Sequence, residues 1–301
     1  MNKIITTIFI LILIISCNNN AKKDNNSQSE ENYLVINKPK SNAEKLQIYA
    51  SIYPIYDFAK KIGGEKADVY NMTSSGSEPH DFEITSKDMG NLTKADLFVY
   101  NGGGMEHWAD TVKESINDLN YLETSYGIEK EELDPHFWLS PIKAKKQMEN
   151  IKNALSEIDK DNAGYYNSNY NIYAVRLDEL DKKFKDNLSN IKNTNLIVTH
   201  PAFGHFCKEY SLNQVAIARD EADPKAMSET ISFMKDNNIK AIFYEEFSSS
   251  KLVDSIAKET QALTYTLNPI ESLSEEDIKN GEDYFSVMEK NLISLTNGLN
   301  Q

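Results

Sequence analysis

The sequence predicts an α/β protein of two lobes, each with a mostly parallel β-sheet flanked by helices, joined by one long rigid helix. Short apolar strand-like segments alternate with helix-like ones, this alternation occurs twice, and the stretch between the two runs has helical periodicity and no strand character. The first run comprises a strand at Leu46–Ala50, a helix at Ile55–Ile62, a strand at Ala67–Met72, a helix at Ser86–Lys94 and a strand at Ala95–Tyr100, with the Gly-rich turn Asn101–Gly104 behind it. The second has strands at Asn195–Thr199, Leu212–Ile217, Ala241–Tyr244 and Leu263–Leu267, with helices at Lys225–Asp236 and Ser249–Thr260. Strands separated by helices of this length pair in parallel and are covered on both faces.

Between the runs, apolar residues recur at helical spacing from Pro141 to Ile158 (Ile151, Leu155, Ile158) and from about Asn162 to Leu188 (Ile172, Val175, Leu177, Leu180, Phe184, Leu188). The second of these helices is about 27 residues and reaches roughly 40 Å at 1.5 Å per residue. It lacks Gly and Pro after Gly164, so it reads as a rigid connector. The expected body is a lobe over residues 46–161, a connector over 162–190 and a second lobe over 191–301.

The N-terminus stands apart from this body. An apolar run, Ile4–Ile15, follows Asn2 and Lys3; it is too short to span a bilayer but suits the core of a secretory signal. "IISC" resembles a lipobox, so residues 1–16 are expected to be removed and Cys17 to carry lipid that anchors an exported protein to the membrane, on its outer face or periplasmic side. Residues 17–45, rich in Asn, Ser, Lys and Glu, read as a flexible tether. The only other cysteine, Cys207, is expected to be a buried free thiol. Lys and Arg number 32 against 46 Asp and Glu, a net charge of −14 that repels nucleic acid and favours cationic ligands.

Five histidines are present, and three fall at telling places. His80 lies in the loop after the Ala67–Met72 strand and His200 directly follows Asn195–Thr199, both beyond the carboxyl ends of strands, where open α/β sheets bind ligands. His136 lies in "DPHFWLSP", whose prolines restrict the backbone and whose Trp138 offers an apolar wall. Glu271 follows the last strand in "LNPIESL". Three imidazoles and one carboxylate make the ligand number and chemistry of a four-coordinate zinc site. Around them, Glu78 is an alternative oxygen donor, Asp81 and Asp134 are placed to orient rings, His205 packs or hydrogen-bonds near the cleft, and Glu245 and Glu246 face it. His107 is expected away from the metal.

"EPHDFE", "DPHFWLSP", "THPAFGHF" and "LNPIESL", in this order and behind a lipobox, resemble the signature segments of the zinc and manganese solute-binding lipoproteins of bacterial ABC importers. "ADLFVYNGGGMEHW" and the stretch from Asp223 to Ala262 are similar to that family's framework. The resemblance implies a non-enzymatic monomer that holds metal between two lobes, with His80 and His136 from the first and His200 and Glu271 from the second. It implies permease and ATPase subunits of a metal importer as partners. His3Glu favours Zn2+ over Mn2+, which is better served by more carboxylates. No histidine-rich loop intervenes between His80 and His136. Two other classes stay open: an exported zinc metallohydrolase with Glu245 or Glu271 as base, against which no HExxH pair is present, and a surface adhesin, for which no adhesive module is recognisable.

Overall fold

Both runs of alternating strands and helices fold into sheets with helical cover. A computed structural model describes residues 33–129, 134–217, 224–245 and 250–301. In the first half, β1 (Leu34–Val35), β2 (Leu46–Ala50), β3 (Ala67–Asn71), β4 (Leu97–Tyr100) and β5 (Tyr121–Glu123) form one sheet in the order β1-β5-β4-β2-β3. All neighbours pair in parallel except β1, which lies antiparallel to β5. In β2 the alternation of "LQIYA" buries Leu46, Ile48 and Ala50 completely.

Helices α1 (Tyr53–Gly63), α2 (Ser86–Leu92) and α3 (Ala109–Ser115) link these strands. α1 carries Pro54 in its first turn, where the missing N–H would have had no helical partner. α2 opens on a capping box in which Thr85 and Asp88 satisfy each other's backbone N–H groups.

Residues 33–45 read from sequence as part of a tether. From Tyr33 onward the chain lies along the first sheet, because Tyr33–Ile36 is apolar enough to close an otherwise open edge. Tyr33 stacks on Tyr126 with ring centroids 3.8 Å apart. Asn37 N donates to Asn120 Oδ1 at 2.7 Å and Ser41 N to Asp96 Oδ1 at 2.6 Å. The signal, Cys17 and the first part of the tether lie outside the described residues.

α4 (Pro141–Ile158) and α5 (Ala163–Leu188) follow. The 26 residues of α5 span about 39 Å. Its buried seam is Ala174, Leu177, Leu180, Phe184 and Leu188, with Tyr166 before it. Ile172 and Val175, expected on that seam, are 59% and 57% exposed, because at 3.6 residues per turn they fall off the stripe that the other residues share.

The second half contains β6 (Asn195–Val198), α6 (Gly204–Glu209), β7 (Asn213–Ala216), α7 (Pro224–Asp236), β8 (Ala241–Tyr244), α8 (Ser250–Thr260), β9 (Leu263–Thr266), α9 (Glu275–Lys279) and α10 (Tyr284–Leu299). Its strands are all parallel, in the order β7-β6-β8-β9. β5, α6, α9 and α10 are additions to the elements read from sequence. Among the described residues no helix is long and apolar enough to cross a membrane.

The seam of α5 makes a testable contrast. Leu177→Ala should cost about 2–5 kcal/mol of stability through transfer and cavity formation. Val175→Ala, at an exposed position, should stay within about 0.5 kcal/mol. Urea denaturation of the two variants measures both.

Candidate metal centre

Each of the four predicted donors sits on a short rigid segment just past a strand or against a helix start. His80 is in the middle of a 3-10 turn, Pro79–Asp81, that follows β3; the Glu78 side chain caps this turn by accepting from His80 N at 3.3 Å. His136 precedes a second 3-10 turn, Phe137–Leu139, that leads through Ser140, the N-cap of α4. His200 stands two residues beyond β6. Glu271 follows β9 in a loop where Ile270 has φ +60, strained for a β-branched residue. Asn268 Oδ1 accepts from Ile270 N at 2.7 Å, and Asn291 bonds both the N–H and the carbonyl of Asn268, so the bend is held from two sides.

These segments bring one donor atom from each of the four side chains within 4.8 Å of one another. Glu271 Oε1 lies 2.7 Å from His136 Nε2, 3.1 Å from His200 Nε2 and 3.4 Å from His80 Nε2. His136 Nε2 is 3.2 Å from His80 Nε2 and 3.3 Å from His200 Nε2. Donors placed tetrahedrally around a zinc ion at its usual bond length of about 2.0–2.1 Å stand about 3.3 Å apart. The donor set therefore fits such an ion in number, chemistry and spacing. His136, His200 and Glu271 are buried, while the His80 side chain keeps 31% of its surface exposed and forms the rim.

The electrostatics reflect this crowding. Burial on its own would lower the pKa of His136, but hydrogen bonds to Asp134 and Glu271 outweigh it and raise it to about 9. Burial would raise Glu271, yet the hydrogen bonds from His136, His200 and His80 hold it well below the usual carboxylate range. Asp134 is also lowered: burial opposes, and the His136 ring outweighs it. Glu78 is raised by burial and by the charge of Glu271 beside it; it is not one of the four converging donors.

The neighbouring side chains divide clearly. Asp134 Oδ1 accepts from His136 Nδ1 at 2.7 Å, which fixes the ring so that Nε2 faces the other donors. Glu245 Oε1 lies 3.1 Å from His200 Nδ1, close enough for an ion pair. Trp138 is fully buried, with its ring 5.3 Å from that of His136, and its Nε1 donates to Pro269 O at 2.7 Å, tying the two ligand loops together. His205 is fully buried one step further out, against Asp134. Asp81 is exposed, and His107 faces Glu83 at 3.4 Å on the surface. Glu246 lies outside the described residues. Cys207 is a buried free cysteine whose thiol burial pushes up.

Sequence reasoning missed several supports. Ser272 Oγ accepts from Gly76 N at 2.6 Å, joining the loops of Glu271 and His80. Tyr284 OH donates to Trp138 O at 2.6 Å. Glu106, buried, accepts from Ser51 Oγ, Asn101 N and Gly102 N at 2.5, 2.8 and 2.9 Å, and Asn101 Nδ2 in turn donates to Pro135 O at 2.9 Å. The glycine run 102–104 was the available signal: all three have positive φ, and a Cβ on Gly103 would strike the Phe137 ring beside His136.

Residues 48–298 match the family described as zinc-uptake complex component A, periplasmic. The chain belongs to this family. It is 36% identical over 284 residues to the high-affinity zinc uptake system protein ZnuA of Bacillus subtilis (strain 168), covering 86% of this chain and 89% of that one. It is 37% identical over 276 residues to the zinc-binding lipoprotein AdcA of Streptococcus pneumoniae, covering 83% of this chain but 55% of that longer protein. The crystal structure of the Zn(II)-bound ZnuA-like domain of that streptococcal AdcA superposes with a TM-score of 0.79 at 35% identity, covering 85% of this chain and all of that domain. Members of this family are solute-binding transport proteins of two α/β lobes and a long connecting helix, as expected from the sequence.

His136 supplies a prediction for the metal-stripped protein. A group whose folded pKa is raised contributes stability that is full below its unfolded value of about 6.5 and is lost as pH rises through its folded value, here about 9. The melting temperature of chelator-treated protein should accordingly fall between pH 7 and 9.5. Asp134→Asn should flatten that dependence.

Proposed function

We propose that this protein captures zinc outside the cytoplasmic membrane and hands it to the permease and ATPase subunits of an ABC importer, without chemistry on the ion. The observation that carries this reading is the convergence of three imidazole Nε2 atoms and one carboxylate oxygen, drawn from both sheets, at the spacing of a tetrahedral ion. The names of the relatives support zinc in particular. Because the ligands come from both halves, an ion at this point bridges them and holds one arrangement for the membrane subunits to recognise.

The four donors act by exchange. In the metal-free protein the cluster holds a proton on His136 next to the ionised Glu271. Zinc displaces that proton and takes over the compensation of the Glu271 charge. His80, on the rim, is placed to meet the ion first, and the buried trio completes its desolvation. Glu271 occupies the fourth position, and Glu245, the alternative base of a hydrolase, sits on the far nitrogen of His200; both placements favour capture over catalysis. Imidazole-rich ligation favours Zn2+ over Mn2+.

Residues 1–16 serve as the export signal and Cys17 as the lipid anchor, a reading supported by relatives named lipoproteins. The protein acts as a monomer, and its lobes divide near residues 161 and 190, with residues 33–45 counted in the first lobe because β1 pairs with β5.

Native mass measurement after zinc loading should show one zinc per chain, and finding none overturns the reading. Zinc affinity should fall about tenfold per pH unit as pH drops below about 9, since the His136 proton must leave before metal binds; a flat affinity from pH 7.5 to 5 contradicts a three-histidine site. His136→Ala and His200→Ala should each weaken zinc far more than His107→Ala. Thermal shift at equal metal concentration should be larger with zinc than with manganese. Cys17→Ser should release the protein from the membrane fraction, and retention there argues against a lipid anchor.

A further inference from the structure

We infer that His205, clasped by Lys143, positions the ligand His136 through Asp134, so that a helix of the second half of the chain aims a donor carried by the first. This rests on the zinc reading and adds to it two residues that touch no ligand atom.

The contacts run in one direction. His205 is fully buried at the start of α6, and its ring lies 4.7 Å from that of Phe137. Its Nε2 is 2.9 Å from Asp134 O. A carbonyl can only accept, so this nitrogen carries the proton and Nδ1 is left as an acceptor. Lys143 Nζ, from α4, stands 2.5 Å from that Nδ1 and fits as its donor; the same amine donates to Glu129 O at 3.3 Å. The His205 backbone N–H reaches Asp134 Oδ2 at 3.2 Å.

Asp134 is thereby held at its carbonyl by the His205 ring and at one carboxylate oxygen by the His205 backbone. Its other oxygen takes both the ring Nδ1–H and the backbone N–H of His136, at 2.7 and 3.0 Å. Gly204 completes the seat, since a Cβ there would strike the Asp134 carboxylate. A carboxylate pinned in this way cannot turn away from His136. It keeps a proton on Nδ1 and Nε2 pointed at the other three donors.

Hydrogen bonding by His205, separate from its bulk, is what the experiment must isolate. His205→Phe keeps the ring and removes both bonds, whereas His205→Gln returns a donor for Asp134 O and an acceptor for Lys143. Zinc dissociation constants are read by competition with a chromophoric chelator on the otherwise unchanged chain, with 15N NMR of the His136 ring in the zinc-loaded form. Losses of about 10–100-fold attend removal of partners that orient metal ligands. We expect at least a tenfold loss for His205→Phe, with a His136 Nδ1–H resonance moved upfield by a weaker bond to Asp134, recovery to within about threefold of wild type in His205→Gln, and a smaller loss for Lys143→Met. Wild-type affinity in His205→Phe overturns the inference, as does an equal loss in the Phe and Gln variants, which would mark a packing role alone. If His205→Phe does not fold, wild-type affinity in Lys143→Met overturns the clasp. A wild-type chain that takes up no zinc would instead sink the zinc reading itself, a result distinguishable from failure of the relay.

Discussion

A buried carboxylate that must stay charged organises this molecule. Glu271 is 5% exposed, and an ionised carboxyl at that depth requires a cation or several donors at contact distance. Three imidazoles supply them, from three other segments of the chain. A carboxylate and three ring nitrogens this close form a stable group only if positive charge is shared among them. A proton on His136 can provide it, and a divalent ion between the donors provides it with more bonds. A small cation that prefers nitrogen donors suits a charge buried in this way.

The fold's task is to hold four segments against each other with little freedom. Three of them leave the carboxyl ends of parallel strands, where chain direction already points the loops to one edge. Cross-ties then join segments far apart in sequence: Trp138 to Pro269, Tyr284 to Trp138 and Gly76 to Ser272. The left-handed backbone at Ile270, a conformation that costs about 1–3 kcal/mol, is kept in place by the Asn268 and Asn291 bonds and turns Glu271 inward. Strain directly beside a ligand, over-determined by neighbours, is the pattern of a preorganised site.

Much of this was legible in the chain. The period-two alternation of β2, the unbroken helical pattern of α4 and α5 and the proline-flanked His136 each have a local cause, and each appears where that cause places it. Other features were not legible. β1 needs an open sheet edge to dock on, and a two-residue strand has no periodicity of its own. Ile172 and Val175 look like seam residues until the rotation of α5 about its axis is known, and packing against α4, α1 and α10 sets that rotation. His205 could be assigned no definite partner, because its partners, Asp134 and Lys143, are 71 and 62 residues away.

The sequence by itself determined the α/β class and the long helix, and it singled out the four side chains that converge, since these depend on local propensity, periodicity and the order of short motifs. Only the tertiary structure decided that the donors stand 2.7–3.4 Å apart, that Asp134 and Glu245 sit on the outer nitrogens of His136 and His200, and that His80 alone keeps the rim. Those are distances between segments up to 191 residues apart. They follow from how loops and helices of the two halves pack together, which no stretch of chain short enough to have a pattern can specify.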